Sequence, residues 1–158
     1  MVDNSHDYFL LDSTNAKDNS GYNGATSDYF WWSSGQHNHY IAYCWHSVPG
    51  YSKIGKYVGN GNADGPFINL GFKPAWLMVK RSDSTDHWFI IDVVREKTNV
   101  MGELILANEV NTPTNSDHFD FISNGFKIRG NGAGINASNG TYIFMAFAEA
   151  PFTRTNAK

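Results

Sequence analysis

A stretch near the C-terminal end constrains the fold most: Gly140-Thr-Tyr-Ile-Phe-Met-Ala-Phe-Ala-Glu-Ala-Pro-Phe152. It is rich in β-branched, aromatic and small apolar residues, opens after an Asn139-Gly140 turn and closes at Pro151, as a buried strand does. A similar stretch lies a hundred residues earlier, Tyr40-Ile-Ala-Tyr-Cys-Trp-His-Ser-Val-Pro49. Aligned without gaps, Tyr40 meets Tyr142, Ile41 meets Ile143, Trp45 meets Phe147 and Pro49 meets Pro151. A shared aromatic strand ending in proline is a repeat signal. It predicts two related units, a partial one over 1–50 and a complete one over 51–158, which could also be one continuous domain.

Composition points the same way. Only 17% of the 158 residues are charged, whereas 15% are aromatic and 15 are glycine, so sheet formers and turn residues dominate. Strands are expected at 8–11, 28–32, 39–46, 53–58, 66–70, 75–80, 87–94, 103–107, 119–122, 125–129 and 140–150. Loops separate them, and residues 47–52 form the joint between the units. Asn124-Gly125 predicts a hairpin. Asn60 to Gly65 predicts a tight turn with positive φ. No capped helical period exceeds about two turns. The expected fold is therefore all-β, an antiparallel, jelly-roll-like β-sandwich with an incomplete N-terminal repeat packed on it or continuous with it. Several runs are apolar on both faces, which predicts packing between sheets or against a neighbouring subunit. Residues 1–46 supply too few strands to close a sheet, so the unpaired edges predict a homo-oligomer or strand addition from a partner.

The net charge of −3 gives no electrostatic footprint for nucleic acid. No apolar run reaches membrane-spanning length, and no signal peptide is recognisable, so membrane insertion is not expected and synthesis in a cytoplasm is. Cys44, the single cysteine, is expected to be an inert packed thiol within the 39–46 strand.

Candidate chemistry is sparse. His37 and His39 project to one side of an extended segment and would need a symmetry axis to complete a metal site, so no metal is assigned. Asn60, Asn62 and Asp64 follow the first half of a calcium loop, but Gly71 stands where the bidentate glutamate belongs. The glycine-rich loop 130–140 leads into a strand rather than a helix, so a phosphate cradle fails. Asp83, Asp86 and His87, like Asp117 to Asp120, set carboxylates beside imidazoles without a nucleophile elbow. No enzyme and no cofactor are expected. Tyr29, Trp31 and Trp32 combine aromatic rings with polar neighbours. With Asp83 and His87 they are the candidates for a glycan or partner contact, either by stacking on sugar rings or by packing against another subunit.

The segments Ser52–Gly61, Asp64-Gly65, Gly71–Lys80, Asp120–Arg129 and Asn136–Glu149, in that order, resemble a module of marine bacteriophage virion proteins, cyanophages included. The module is common in large tail-fibre and host-specificity proteins and often occurs in series. Residues 40–46 resemble the close of a preceding copy, so the resemblance covers about 40–152. It implies a virion protein made in the host cytoplasm: a capsid decoration, knob or tail-fibre component whose partners are other virion proteins. The alternative is a lectin-like module holding a host surface glycan.

Overall fold

The computed structural model describes residues 7–19, 24–25, 30–31, 43–110 and 118–151. It is an all-β, antiparallel sandwich. Strands β1 (Gly24–Ala25) and β2 (Phe30–Trp31) pair as a two-stranded ribbon. The main body has eight strands: β3 (Ser52–Val58), β4 (Phe67–Asn69), β5 (Pro74–Arg81), β6 (Trp88–Asp92), β7 (Ile105–Leu106), β8 (Phe119–Ile122), β9 (Gly125–Ile128) and β10 (Thr141–Ala148). They divide into a five-stranded sheet, β3-β10-β5-β6-β7, and a three-stranded sheet, β4-β9-β8.

The C-terminal strand is central because both neighbours pair along its length. Tyr142 stands opposite Tyr57 and Arg81, and Phe144 opposite Gly55 and Val79. Alternation sends Tyr142, Phe144 and Ala146 into the core, where they join Leu77, Val79, Ile91, Phe119, Phe126 and Ile128. The aromatic rings interlock: Phe126 meets Phe144 edge-on at 5.5 Å, while Tyr57 and Tyr142 stack at 4.8 Å. The hydroxyls of that stacked pair are both satisfied. Tyr57 donates to the Ile135 carbonyl at 2.8 Å and Tyr142 to the Ala133 carbonyl at 2.6 Å. Both acceptors lie in α1 (Ala133–Asn136), a single helical turn inside the glycine-rich loop 130–140.

Burial raises the Tyr57 hydroxyl well above its ordinary pKa of 10.0, with the neighbouring Tyr142 adding to the effect. An unfolded chain would release this proton near pH 10 while the folded chain holds it. Stability is therefore intact below pH 10 and falls as pH rises above it, by up to about 1.4 kcal/mol per pH unit for this group. Lys80, whose pKa burial lowers from 10.5, works in the opposite sense. The expected result is thus a difference: urea titrations from pH 8 to 11 show a shallower alkaline loss for Tyr57→Phe than for the parent. Equal slopes would mean that Tyr57 is not protected from ionisation.

The outer face of the five-stranded sheet is also apolar, as expected from runs without alternation. Ile54, Met78, Ile90, Ile143, Met145 and Phe147 are half-buried there. Part of it carries the N-terminal segment. Phe9 packs edge-on against Trp88 at 5.8 Å, and the Trp88 indole N–H donates to the Leu10 carbonyl at 3.0 Å. Lys80, wholly buried, donates to the carbonyls of Arg81 at 2.9 Å and Thr14 at 3.3 Å. The strand expected at Tyr8–Leu11 does not form. Tyr8 makes one bridge, to Asp18, and Leu10 and Leu11 stay exposed while their backbone serves this docking.

The expected hairpin joins β8 to β9, but Gly125 is needed for a different reason from turn geometry. Its φ is not among the positive values; instead, a Cβ there would lie 2.0 Å from the Ile68 carbonyl oxygen of β4. The outer edge of β8 is covered by the 95–101 loop. There the Asn99 side chain exchanges two 2.9 Å hydrogen bonds with the backbone of Phe121, in place of a strand partner.

Candidate functional site

The five-stranded sheet has two chemically different ends. Strand β5 ends, β6 begins and β10 begins at one of them, so the β5–β6 connection, α1 and the Asn60–Gly65 turn gather there. This end is polar. Arg81 Nε lies 2.8 Å from Asp83 Oδ1, and that hydrogen bond holds the Asp83 carboxyl below its ordinary pKa. The Arg81 guanidinium also reaches the Ala133 carbonyl at 3.4 Å. Asn108 is oriented by the Trp88 N–H, which donates to its Oδ1 at 2.9 Å. Its Nδ2 therefore faces His87 Nδ1 at 3.0 Å, with Glu109 Oε1 farther off at 3.5 Å. Asp86 accepts from the backbone N–H of His87.

Side-chain oxygens of the Asn60–Gly65 turn are engaged within the protein. Asn60 Oδ1 accepts from the Asn62 N–H, Asn62 Oδ1 from the Asp64 N–H, and Asp64 pairs with Lys127 at 2.7 Å. Gly61 carries the expected positive φ, +68°. This is turn chemistry, and the oxygens do not converge. A shallow cavity of about 380 Å³ beside the turn is lined by Ala63, Asp64, Val100 and Arg129. No three His, Cys, Asp or Glu side chains among the described residues gather as metal ligands. Arg81 pairs with Asp83 here and Lys127 with Asp64, while Asp86 is held by the backbone.

The opposite end is aromatic. Phe147, near the close of β10, touches Tyr51 at 5.9 Å and Trp76 at 5.7 Å. Chain 43–47 leaves the sheet at this end, tied to it by two hydroxyls. Ser52 donates to the His46 carbonyl at 2.8 Å, and Ser47 Oγ accepts from the Ile54 N–H at 3.1 Å. Beyond those ties Tyr43 and Trp45 stand in solvent, 73% and 57% exposed, with rings stacked at 6.1 Å and 25°.

A family model described as a domain of unknown function (DUF7483) matches residues 2–151. The chain belongs to that family. The comparisons with curated proteins and with solved structures return no match. The family match takes in both ends of the DUF7483 sheet, the exposed aromatic segment and the polar loops alike.

Of the residues expected to form a contact site in this DUF7483 chain, Asp83 and His87 lie on the same β5–β6 loop. Asp83 is turned to Arg81 and His87 to Asn108. Tyr29 and Trp32 lie outside the described residues, as do His37 and His39. Trp31 is described only as backbone, in β2. The strand expected at 39–46 is corrected over its described part: residues 43–47 form no strand and are exposed. The parallel between Trp45 and Phe147 fails there, since Phe147 is packed in a sheet and Trp45 is not. Cys44 is likewise exposed rather than a packed thiol. Apolar composition alone suggested burial. The signal that could have corrected it was Ser47, whose hydroxyl can bond the backbone in place of a ladder.

Proposed function

We propose that this DUF7483 protein is a non-enzymatic structural component of a bacteriophage particle, a capsid decoration or tail-fibre element assembled inside the host cell. Its partners are other virion proteins. The observation that supports this reading is the exposed, stacked Tyr43/Trp45 pair on a rigid sandwich. Large aromatic side chains left in water are interface chemistry, and Trp and Tyr dominate the energetics of protein contacts. The ion-paired polar end supports a non-catalytic role, and no cofactor enters the reading.

A second reading, attachment to a host surface glycan, is favoured by the polar end. There His87, Asn108, Glu109 and Asp83 offer hydroxyl partners beside the Phe89 ring, which meets His87 edge-on at 6.2 Å.

The two are separated by fluorescently labelled protein offered either to phage particles that lack it or to host cell envelopes. The expected result is saturable binding to particles that weakens about 30-fold in Trp45→Ala, the effect of losing a contact worth about 2 kcal/mol. Saturable binding to envelopes, competed by soluble host polysaccharide and reduced by His87→Ala, would instead establish the attachment reading. Binding to neither would overturn both.

A further inference from the structure

We propose that segment 43–47 is a self-pairing strand, adding antiparallel to the same segment of a second copy. This rests on the reading of Tyr43 and Trp45 as a contact patch and adds a second copy of the chain to its partners.

Three observations carry it. First, the backbone N–H and C=O groups of Tyr43, Cys44 and Trp45 make no hydrogen bond among the described residues. Such a segment is the template that strand addition uses. Second, two contacts match the side-chain and backbone alternation of an extended chain. The rings of residues two apart leave on one side and stack, and the His46 carbonyl points towards Ser52 of β3. In an extended chain the backbone groups of neighbouring residues point opposite ways. Those of Tyr43, Trp45 and Ser47 therefore face away from β3, towards a partner. Third, Tyr-Cys-Trp-His-Ser carries no formal charge with histidine neutral. Two copies can meet there without the like-charge repulsion that disfavours direct cross-strand contacts.

These facts fix a register. Trp45 is the middle residue, so a two-fold axis through it sets Trp45 against its equivalent and Tyr43 against the second copy's Ser47. The outward groups of Tyr43 and Trp45 and the Ser47 N–H are then paired, while the Ser47 carbonyl, already 3.1 Å from His46 Nδ1, accepts a second hydrogen bond, and the interface is isologous. The two aromatic pairs meet across the ribbon, and Cys44 of each copy lies diagonally across from its equivalent. A five-residue ribbon buries well under the ~1,200 Å² of a standard stable interface. The dimer is accordingly weak in dilute solution and strengthens where copies are held close on a multivalent surface.

The test is sedimentation equilibrium of the full chain from about 10 μM to about 1 mM, the range of a weak contact. It is run beside cross-linking through Cys44 with a short bis-maleimide. The parent is expected to rise towards dimer mass and to give a covalent dimer. Trp45→Ala, shown folded by an unchanged urea midpoint, is expected to associate at least about 10-fold more weakly, while Cys44→Ser associates normally but does not cross-link. A parent that stays monomeric throughout would overturn the proposal, as would association unaffected by Trp45→Ala. So would a monomer whose Trp45 fluorescence shifts only with soluble polysaccharide. Failure here with particle binding intact would leave the structural role standing. Self-association without particle binding would sink that role and leave this proposal intact.

Discussion

Replacing Asn136 with alanine is expected to lower stability by about 3 kcal/mol, a large share of the ~5–15 kcal/mol typical of a domain. Asn136 is fully buried and acts as the hub joining three chain segments. Its Oδ1 accepts the Asn60 N–H at 2.9 Å. Its Nδ2 reaches the Asn62 carbonyl at 2.7 Å, the Gly130 carbonyl at 3.0 Å and Asn60 Oδ1 at 3.1 Å. Alanine leaves the Asn60 N–H and two carbonyls without this partner in a site too crowded for easy relaxation. A Cβ on Gly65 would already sit 3.0 Å from Asn136 Nδ2. An unsatisfied buried polar group costs about 1–3 kcal/mol, so two or more make the loss substantial. Asn136→Asp is a sharper control, because it keeps the acceptor and replaces the donor with a carboxylate facing carbonyl oxygens. Both variants are measured by urea denaturation. A loss under about 1 kcal/mol for alanine would mean that the Asn60–Gly65 turn holds without the hub.

How far this architecture could be read from the residues differs by region, for physical reasons. The closing strand, the Asn60–Gly65 turn and the β8–β9 hairpin were legible because each is decided locally, by side-chain pattern or by turn chemistry. Gly125 was read correctly as hairpin punctuation for an incomplete reason. The carbonyl of Ile68 that excludes a side chain there comes from a strand more than fifty residues earlier in the chain. Segment 43–47 was misread because hydrophobic pattern reports affinity for a buried place, not whether a partner strand is available. Trp45 and Phe147 have similar chemistry, yet Phe147 has strand neighbours on both sides in β10 and Trp45 has none among the described residues. The docking of residues 7–19 was hidden for a related reason. It rests on the backbone carbonyls of Leu10 and Thr14, which composition cannot reveal. Of the candidate contact residues, Asp83 and His87 were read to the right loop. Their partners Arg81 and Asn108 were missed, since no local spacing announces a pairing made by folding.

Phe144→Ala is expected to cost about 4 kcal/mol, because it removes a ring on which the two sheets meet. The ring is 4% exposed, lies edge-on to Phe126 across the core and extends over Gly55 on the adjoining strand. A Cβ at Gly55 would sit 2.7 Å from the tip of that ring, closer than atoms can pack, so glycine there is the counterpart of the phenylalanine. The pair gives a double-mutant test that a simple count of lost surface would not pass. Alone, Gly55→Ala is expected to cost about 2 kcal/mol by overpacking. In the Phe144→Ala background the added methyl enters space the ring has left, so its cost should vanish or reverse. The coupling would then reach about 1–2 kcal/mol, well beyond the few tenths seen between independent sites. If the two costs simply add, the ring does not rest on Gly55. The absence of a side chain on that strand would then reflect backbone requirements, and the packing of the sheets at Phe144 would need another explanation. Leucine at 144 separates these cases further. It restores most of the apolar volume without the rigid tip, so it should recover much of the stability and tolerate alanine at 55 better than phenylalanine does.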